Sequence, residues 1–408
     1  MSNHKIQSPR IMRLYEDLQG GNIEALDIFW KEVLEKGTPL IEKVEGNDEY
    51  YLVTLLWKAS ESIESISVNG EMFGMDTDNT KLERLLGTNL WFRTWKVRGD
   101  AQSVYIFIIN EREGQEWNDL DARLDPFNPN TYVCVEDEKN PNEFYLLMKE
   151  ESYVALPNFK KDIWSIERKD VPKGKVELFD DYESKFLNNK RRIWVYTPAD
   201  YDRKNEANGI AVFTDGWDYV YAVNTPTILD NLIAEKKIDP ICAVFIESTE
   251  DRARELTCYD PFDDFVTKEI LPWLYENYNI TTNAEKNVAV GFSYGGLTSA
   301  FLGLKHPDIF KKIFCRSGGF SWKPKGDESE KGLIIRKYED SPTLPLDFYV
   351  TFGEFEKEAE NLYKGNKDFV KMLADKGYNF KYHEFMGGHT FTDVNIDLAG
   401  GLIHLLGK

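Results

Sequence analysis

The sequence contains no apolar run long enough to cross a membrane and no apolar core typical of a secretory signal. A membrane-spanning helix needs about 18 or more consecutive apolar residues, and charged or polar residues interrupt every apolar run of this chain sooner. The N-terminal segment MSNHKIQSPRIMRLYEDL also lacks the ~7–15 apolar residues of a signal peptide. We therefore expect a cytoplasmic protein that does not span a membrane.

Basic residues are scarce relative to acidic ones. The 408 residues include 50 Lys and Arg against 70 Asp and Glu, which gives a formal net charge of -20 at pH 7. Such a charge repels phosphate backbones and anionic lipid headgroups, so neither nucleic acid nor a membrane surface is an expected partner. An anionic small ligand would need a local cluster of Arg or Lys to offset this field.

Cysteine is scarce as well. The four cysteines, Cys134, Cys242, Cys258 and Cys315, form no CxxC pair and lie mostly within apolar segments. This distribution is typical of reduced structural thiols, whereas zinc sites and disulfide scaffolds use closely spaced cysteines. We expect no protein-bound metal and no cofactor.

Apolar residues, at 42% of the chain, are abundant enough for two hydrophobic cores. Residues 1–155 place a helical arm before short runs such as YYLVTLLWKA and SVYIFIIN, which predicts an Ig-like β-sandwich domain. Residues 175–408 alternate continuous apolar strands with amphipathic helices, which predicts a mostly parallel sheet covered by helices. The predicted fold class is therefore α/β, with two domains.

The clearest catalytic pattern is Gly291-Phe292-Ser293-Tyr294-Gly295. It follows the apolar strand NVAV and precedes a helix rich in small residues, and this strand-turn-helix context is the one that a G-x-S-x-G nucleophile requires. A serine at such a turn exposes its hydroxyl, and glycines on both sides let the backbone approach the neighbouring helix. The pattern therefore predicts Ser293 as a nucleophile on an α/β-hydrolase fold.

A nucleophilic serine needs a base, and imidazole is the usual one. Of the five histidines, His389 follows two glycines near the end of the chain, where the α/β-hydrolase order places the base. His4 is close to the terminus, His306 lies in a helix-ending turn, and His404 lies in an apolar helix. His383 lies within a predicted strand, and its spacing to His389 is not that of an H-E-x-x-H zinc site. We predict His389 as the base.

The acid and the oxyanion donors are predicted from their positions after strands. Glu356, with Glu354 as the alternative, follows the strand LDFYVTFG between the serine and the histidine, although carboxylates there also suit a solvated helix start. The backbone N-H of Tyr294, directly after the nucleophile, is one expected oxyanion donor. The other is the N-H of Trp217, in the turn TDGW, which could equally be an ordinary Asp-Gly turn.

Nearly the whole chain resembles the enterochelin (enterobactin) esterase family, siderophore esterases of the esterase D-like group of α/β-hydrolases. The first domain resembles that family in GTPLIE, YLVTLLW, LERLLGTNLWFRTWKV and DPFNPN. The second does so in TDGW, DRARELTCYDPFDDFVTKEILPW, GFSYGGLTSAFLGLKHPDIF, RSGGFSW and GGH. In that family the acid is usually followed by proline, whereas Lys357 follows Glu356 here.

The resemblance implies hydrolysis of the ester bonds of a ferric catecholate siderophore, such as its cyclic tri-serine lactone, with iron present only as part of the substrate. Such complexes are anionic, so the resemblance implies that Arg252 and Arg254 supply local positive charge. These arginines could instead pair with the neighbouring acidic residues of ESTEDRARE. Trp217 and Trp322 could stack on catechol rings, although tryptophan is more often a core residue.

Two other functions fit parts of the pattern. A carbohydrate or feruloyl-type esterase would use the same serine chemistry, with the first domain as a glycan-binding module. A protein that captures a ferric siderophore without cleaving it would keep the fold and lose the need for Ser293. Substitution of Ser293 separates this last possibility from both esterases.

Overall fold

The computed structural model describes residues 6–74, 77–133, 135–139, 148–204 and 206–407. It divides into two compact units, Met1–Lys160 with Met386–Gly388, and Lys161–Phe385 with His389–Lys408. The described residues form both helices and sheets, which confirms the predicted α/β class. Cys134 lies outside the described residues, and the three described cysteines form no disulfide.

The first unit begins with two amphipathic helices. The side chain of Ser8 accepts a hydrogen bond from the N-H of Ile11, and Pro9 occupies the first helical position, so both residues favour a helix start here. The two helices bury an apolar stripe that includes Phe29 and Trp30. The α-helices described in this unit are α1 Pro9–Gln19, α2 Glu24–Lys36 and α3 Thr77–Thr80.

Two antiparallel sheets make up the rest of the first unit. One has the strand order β1-β2-β5-β4, and the other has the order β3-β6-β9-β8 with β7 beside β6. Alternating β-branched and aromatic residues favour these strands. The strands are β1 Leu40–Val44, β2 Asn47–Lys58, β3 Ile66–Asn69, β4 Glu83–Arg84, β5 Leu90–Arg98, β6 Gln102–Ile109, β7 Asp121–Arg123, β8 Thr131–Val133 and β9 Glu150–Ala155.

An eight-stranded sheet forms the centre of the second unit, in the order β10-β11-β13-β12-β14-β15-β16-β17. Strands β11 and β13 are antiparallel, as are β10 and β11, and the remaining neighbours are parallel. The central strands are buried along their whole length, because helices cover both faces. The strands are β10 Lys175–Ser184, β11 Asn189–Thr197, β12 Gly209–Phe213, β13 Ile241–Ile246, β14 Val288–Phe292, β15 Lys312–Arg316, β16 Asp347–Gly353 and β17 Asn379–Phe385.

Helices of the second unit connect these strands. The π-helical turns are Asp218–Ala222 and Phe265–Ile270, and the 3₁₀ turns are Ala284–Lys286 and Glu354–Glu358. No helix in the described ranges has the length and apolar character needed to cross a membrane. The α-helices are α4 Thr225–Ala234, α5 Arg252–Glu255, α6 Asp260–Asp264, α7 Leu271–Asn277, α8 Tyr294–Lys305, α9 Leu333–Asp340, α10 Glu360–Asp375 and α11 Phe391–Leu406.

The parallel strands β12 to β17 all point the same way, so their carboxyl ends meet at one edge of the sheet. In open α/β sheets this edge is where ligands bind. Each predicted catalytic residue lies just after one of these strands. The residues are Trp217 after β12, Ser293 after β14, Glu356 after β16 and His389 after β17.

We predict that Phe369→Ala strongly destabilises the second unit. Phe369 is fully buried, and its ring stacks on that of Phe320 with centroids 3.9 Å apart. Removing such a ring leaves a cavity and should lower the free energy of unfolding by about 3–5 kcal/mol in urea titrations. The control Phe186→Ala removes a side chain that is 40% exposed and should change this free energy by about 0.5 kcal/mol or less. Equal losses in the two variants would contradict the prediction.

Candidate active site

A sharp turn between β14 and α8 carries Ser293. Its backbone has φ 58° and ψ -121°, a conformation that residues other than glycine rarely adopt. The N-H of Ser293 donates to the carbonyl of Arg316 on the neighbouring strand, at 3.0 Å. The surrounding strands therefore hold the serine in this strained conformation, as is common at functional sites.

The two glycines of the motif allow the turn to pack closely. A Cβ at Gly291 would lie 2.1 Å from the backbone of Gly295, and a Cβ at Gly295 would lie 2.2 Å from the hydroxyl oxygen of Thr214. Neither position has room for a larger residue without movement of the backbone or of β12. The G-x-S-x-G spacing therefore follows from the close approach of α8 to strands β12 and β14.

His389 lies against the nucleophile. Its Nε2 is 3.0 Å from the Oγ of Ser293, within hydrogen-bond distance. The imidazole packs on the ring of Phe292, with centroids 4.5 Å apart, and its side chain is 23% exposed. The histidine is thus placed to accept the serine proton while remaining accessible from the site.

Glu356 lies behind His389 and is fully buried. Its Oε1 is 3.8 Å from the Nδ1 of His389, the distance of an ion pair. The same oxygen accepts the N-H of Gly353 at 3.0 Å and the hydroxyl of Ser317 at 2.5 Å. The 3₁₀ turn after β16 folds this side chain inward, so Glu356 is not the solvated carboxylate of an exposed helix start.

The surroundings of Glu356 favour its charged form. Burial opposes ionisation, but His389, Arg316 and Ser317 outweigh it and hold the pKa of Glu356 below its ordinary value. The alternative acid, Glu354, is partly exposed and pairs with Lys357. The structure therefore brings Glu356, and not Glu354, together with the histidine.

The two residues predicted as oxyanion donors begin helical segments. Tyr294 is the first residue of α8, and Trp217 caps the π-helical turn after β12. Backbone N-H groups at such positions have no acceptor within the helix, so they are suited to bind a developing negative charge. A Cβ at Gly216 would lie 2.9 Å from the backbone of Phe245, so this turn also needs a glycine.

Arg252 is paired with a carboxylate that sequence reasoning did not single out. Its Nε and Nη2 lie 2.5 and 2.9 Å from the two oxygens of Asp215, which is buried and has φ 53°. Asp215 also accepts the hydroxyl of Ser248 at 2.6 Å. Only 17% of the Arg252 side chain is exposed. This pair links α5 to the turn that carries Trp217.

Arg254 is the more exposed of the two predicted arginines. Its side chain is 56% exposed and pairs with Asp251 at 2.8 Å, one of the neighbouring acids considered from the sequence. Glu255, by contrast, pairs with the buried Arg191. The short helix thus directs one arginine inward and leaves the other at the surface.

The two predicted aromatic contacts differ in environment. Trp217 is partly exposed and packs on Tyr221, with ring centroids 4.2 Å apart. Trp322 is partly buried and packs against the main hydrophobic core of the second unit. Trp217 therefore lies partly exposed after β12, the strand next to β14, whereas Trp322 contributes to core packing.

The other histidines make contacts away from Ser293. His306 lies 2.8 Å from the carboxylate of Asp263, and His383 lies 3.1 Å from that of Asp397. His404 packs near the ring of Tyr349, and His4 lies outside the described residues. Within the described ranges, no three His, Cys, Asp or Glu side chains are grouped as metal ligands. That the protein needs no metal or cofactor stays a prediction.

Comparison with known proteins establishes the family. A family model described as "Putative esterase" matches residues 184–405, which is more than half of the chain. The chain belongs to this esterase family. Membership agrees with the serine, histidine and carboxylate brought together at the sheet edge, and it identifies the protein as an ester hydrolase.

Relatives that match most of the chain confirm the resemblance predicted from the sequence. The iron(III) enterobactin esterase of Dickeya dadantii is 24% identical, with 92% of this chain and 91% of that protein covered. Among solved structures, the ferric enterobactin esterase of Salmonella typhimurium has a TM-score of 0.74 at 20% identity, covering 93% of this chain and 98% of that one. The enterobactin esterase of Shigella flexneri, crystallised in the presence of enterobactin, has a TM-score of 0.70 at 23% identity, covering 91% and 96%. The fold is therefore shared along nearly the whole chain.

We predict that Glu356→Gln lowers esterase activity far more than Glu354→Gln. The glutamine keeps the size of the side chain but removes the charge that stabilises an imidazolium on His389, so kcat should fall by roughly 10³–10⁴-fold. Glu354→Gln, at the partly exposed position two residues earlier, should retain activity within about threefold. Hydrolysis of a neutral nitrophenyl ester measures both. A larger loss in the Glu354 variant would assign the acid to Glu354.

Proposed function

We propose that this protein is a serine esterase that hydrolyses the trilactone ester bonds of ferric enterobactin, or of a related catecholate siderophore, and so releases iron. The observation that carries the proposal is the 3.0 Å contact between Ser293 and His389, with the buried carboxylate of Glu356 behind the imidazole. Relatives named as iron(III) enterobactin esterases over most of the chain support this substrate. The expected location is the cytoplasm.

The proposed reaction has two stages. The Oγ of Ser293 attacks the ester carbonyl, and the Nε2 of His389 takes the serine proton while Glu356 stabilises the imidazolium. The amides of Trp217 and Tyr294 hold the oxyanion. His389 then returns the proton to the departing alcohol, and a water molecule, deprotonated by the same imidazole, hydrolyses the acyl-enzyme.

Substrate recognition is proposed to use charge and flat aromatic faces. Arg254 supplies exposed positive charge to an anionic ferric complex, whereas Asp215 balances most of the charge of Arg252. Trp217 and Trp322 provide aromatic surface for catechol rings. Since the chain carries a net charge of -20, such local cations matter for an anionic substrate.

We further propose that the domains are an Ig-like β-sandwich over residues 1–155 and an α/β-hydrolase catalytic domain over residues 175–408. Two antiparallel sheets in the first unit support the sandwich. Five parallel and two antiparallel pairings in the eight-stranded sheet support a mostly parallel hydrolase sheet. The catalytic residues all belong to the second domain.

Purified protein should convert ferric and iron-free enterobactin to linear trimer, dimer and monomer, and Ser293→Ala should not. The loss is expected because Ser293 is the proposed group that forms the acyl-enzyme, and chromatography with mass detection follows the products. The control is Ser341→Ala, which removes a hydroxyl that donates to the carbonyl of Tyr338 at the end of α9. If enterobactin stays intact while feruloyl or acetyl esters are cleaved in a Ser293-dependent way, the protein is a carbohydrate or feruloyl-type esterase instead. Unchanged turnover by Ser293→Ala would contradict the mechanism.

Arg254→Gln should weaken binding of the anionic ferric substrate specifically. We expect KM for ferric enterobactin to rise about two- to fivefold at low salt, the range for one partly solvated charge pair. Kinetics on a neutral nitrophenyl ester should not change. Arg203→Gln, which removes another surface charge with a backbone contact at Glu276, controls for net charge. Equal changes on both substrates would show that Arg254 does not act through substrate charge.

A further inference from the structure

Arg316 is a buried arginine at the end of β15, directly beside the catalytic groups. Only 1% of its side chain is exposed. Its carbonyl accepts the N-H of Ser293 at 3.0 Å, so the same residue supports the nucleophile turn through its backbone. A guanidinium taken out of water is costly unless nearby charges and hydrogen bonds compensate it. The groups that compensate the buried charge of Arg316 therefore indicate the role of this residue.

These partners lead to the proposed acid. The Nη1 of Arg316 lies 3.4 Å from the Oε1 of Glu356 and also donates to the hydroxyl of Ser317. Ser317 in turn donates to the same Oε1 at 2.5 Å. The carboxylate oxygen nearest His389 is thus also contacted by a cation and a hydroxyl.

Two aromatic rings lie close to the guanidinium. Its central carbon lies 3.9 Å from the ring centroid of Phe385 and 5.7 Å from that of Phe292, both within cation-π range. Phe292 also packs on His389. A lysine could keep the charge at this position but not the planar contacts.

We propose that Arg316 is a positioning residue for the catalytic groups: acting through Ser317 and Glu356, its buried guanidinium aims the carboxylate at His389 and lowers the pH at which activity is lost on the acid side. The inference rests on the proposed function in taking Glu356 as the acid. It does not depend on which ester is the substrate, because it concerns proton transfer from Ser293.

The direction of the pH effect follows from the sign of the charge. The active form has Glu356 ionised and His389 neutral. Removing a nearby positive charge makes this pair bind a proton more tightly, whichever of the two groups takes it. The loss of activity at low pH, which is the acid limb of the pH profile, must then occur at higher pH.

Other charged or titratable groups also lie near Arg316. Asp393 and Asp397 both favour the charged guanidinium, and without it they would further increase the proton affinity of the pair. His383 contacts Asp397 at 3.1 Å and can offset part of that effect when it is protonated. Among the described residues, the groups that act on Arg316 or contact this cluster include Glu356, His389, Asp393, Asp397, His383 and Tyr219.

The test is the pH dependence of kcat/KM for Arg316→Gln and Arg316→Lys on a neutral nitrophenyl ester. Arg316→Gln should move the acid limb up by about one pH unit and lower the plateau by roughly tenfold or more. Arg316→Lys keeps the cation, so its acid limb should stay near that of the wild type while its plateau activity falls.

Arg191→Gln is the matched control, because Arg191 is equally buried but pairs with Glu255. It should lower the melting temperature without moving the limb.

Ser317→Ala keeps the proposal testable if Arg316→Gln does not fold. Removing this hydroxyl leaves the cation in place but takes one donor from Glu356, so we expect a smaller upward shift of the limb and a lower plateau. An unchanged limb in a folded Arg316→Gln protein, or in Ser317→Ala if that is the folded variant, would overturn the proposal. Because the ester is neutral, a failure to cleave enterobactin would leave this result interpretable.

Discussion

The turn between β14 and α8 is the constraint on which the site depends. It holds Ser293 at a positive φ, and it can do so only because Gly291 and Gly295 let the strand and helix approach without a Cβ between them. The same turn places the amide of Tyr294 at the start of α8 and brings the Oγ of Ser293 to 3.0 Å from His389. Strain at this residue is tolerated because the sheet and α8 pack around it.

Buried ion pairs surround this turn in a chain that is strongly acidic overall. Arg252 pairs with Asp215 beside the Trp217 turn, and Arg316 pairs with Glu356 behind the histidine. Removing both charges of such a pair from water costs free energy that their attraction only partly offsets, so the pairs contribute little net stability. Each pair instead fixes the position of a carboxylate close to a residue of the proposed catalytic site.

Much of the site could be predicted from the sequence, because its signals are local. A motif in a strand-turn-helix context predicted Ser293 as the nucleophile, and a position near the chain end predicted His389 as the base; the structure brings these two side chains together. The α/β class and the esterase family are confirmed. Glu356 was predicted as the acid with Glu354 left open as the alternative, because the 3₁₀ turn that buries Glu356 and leaves Glu354 partly exposed has no pattern in GEFEKE. Arg316 and Asp215 were missed because their partners are distant in the chain. The available signal was a charged residue closing the apolar strand KIFCR.

The most direct test of the account is covalent labelling of the nucleophile with a fluorophosphonate, followed by peptide mapping by mass spectrometry. We predict one label per chain, on the peptide that contains Ser293, and loss of this label in His389→Ala because the hydroxyl then lacks its base. Label on a different residue, or full esterase activity in protein whose Ser293 is labelled, would contradict the claim that Ser293 is the nucleophile.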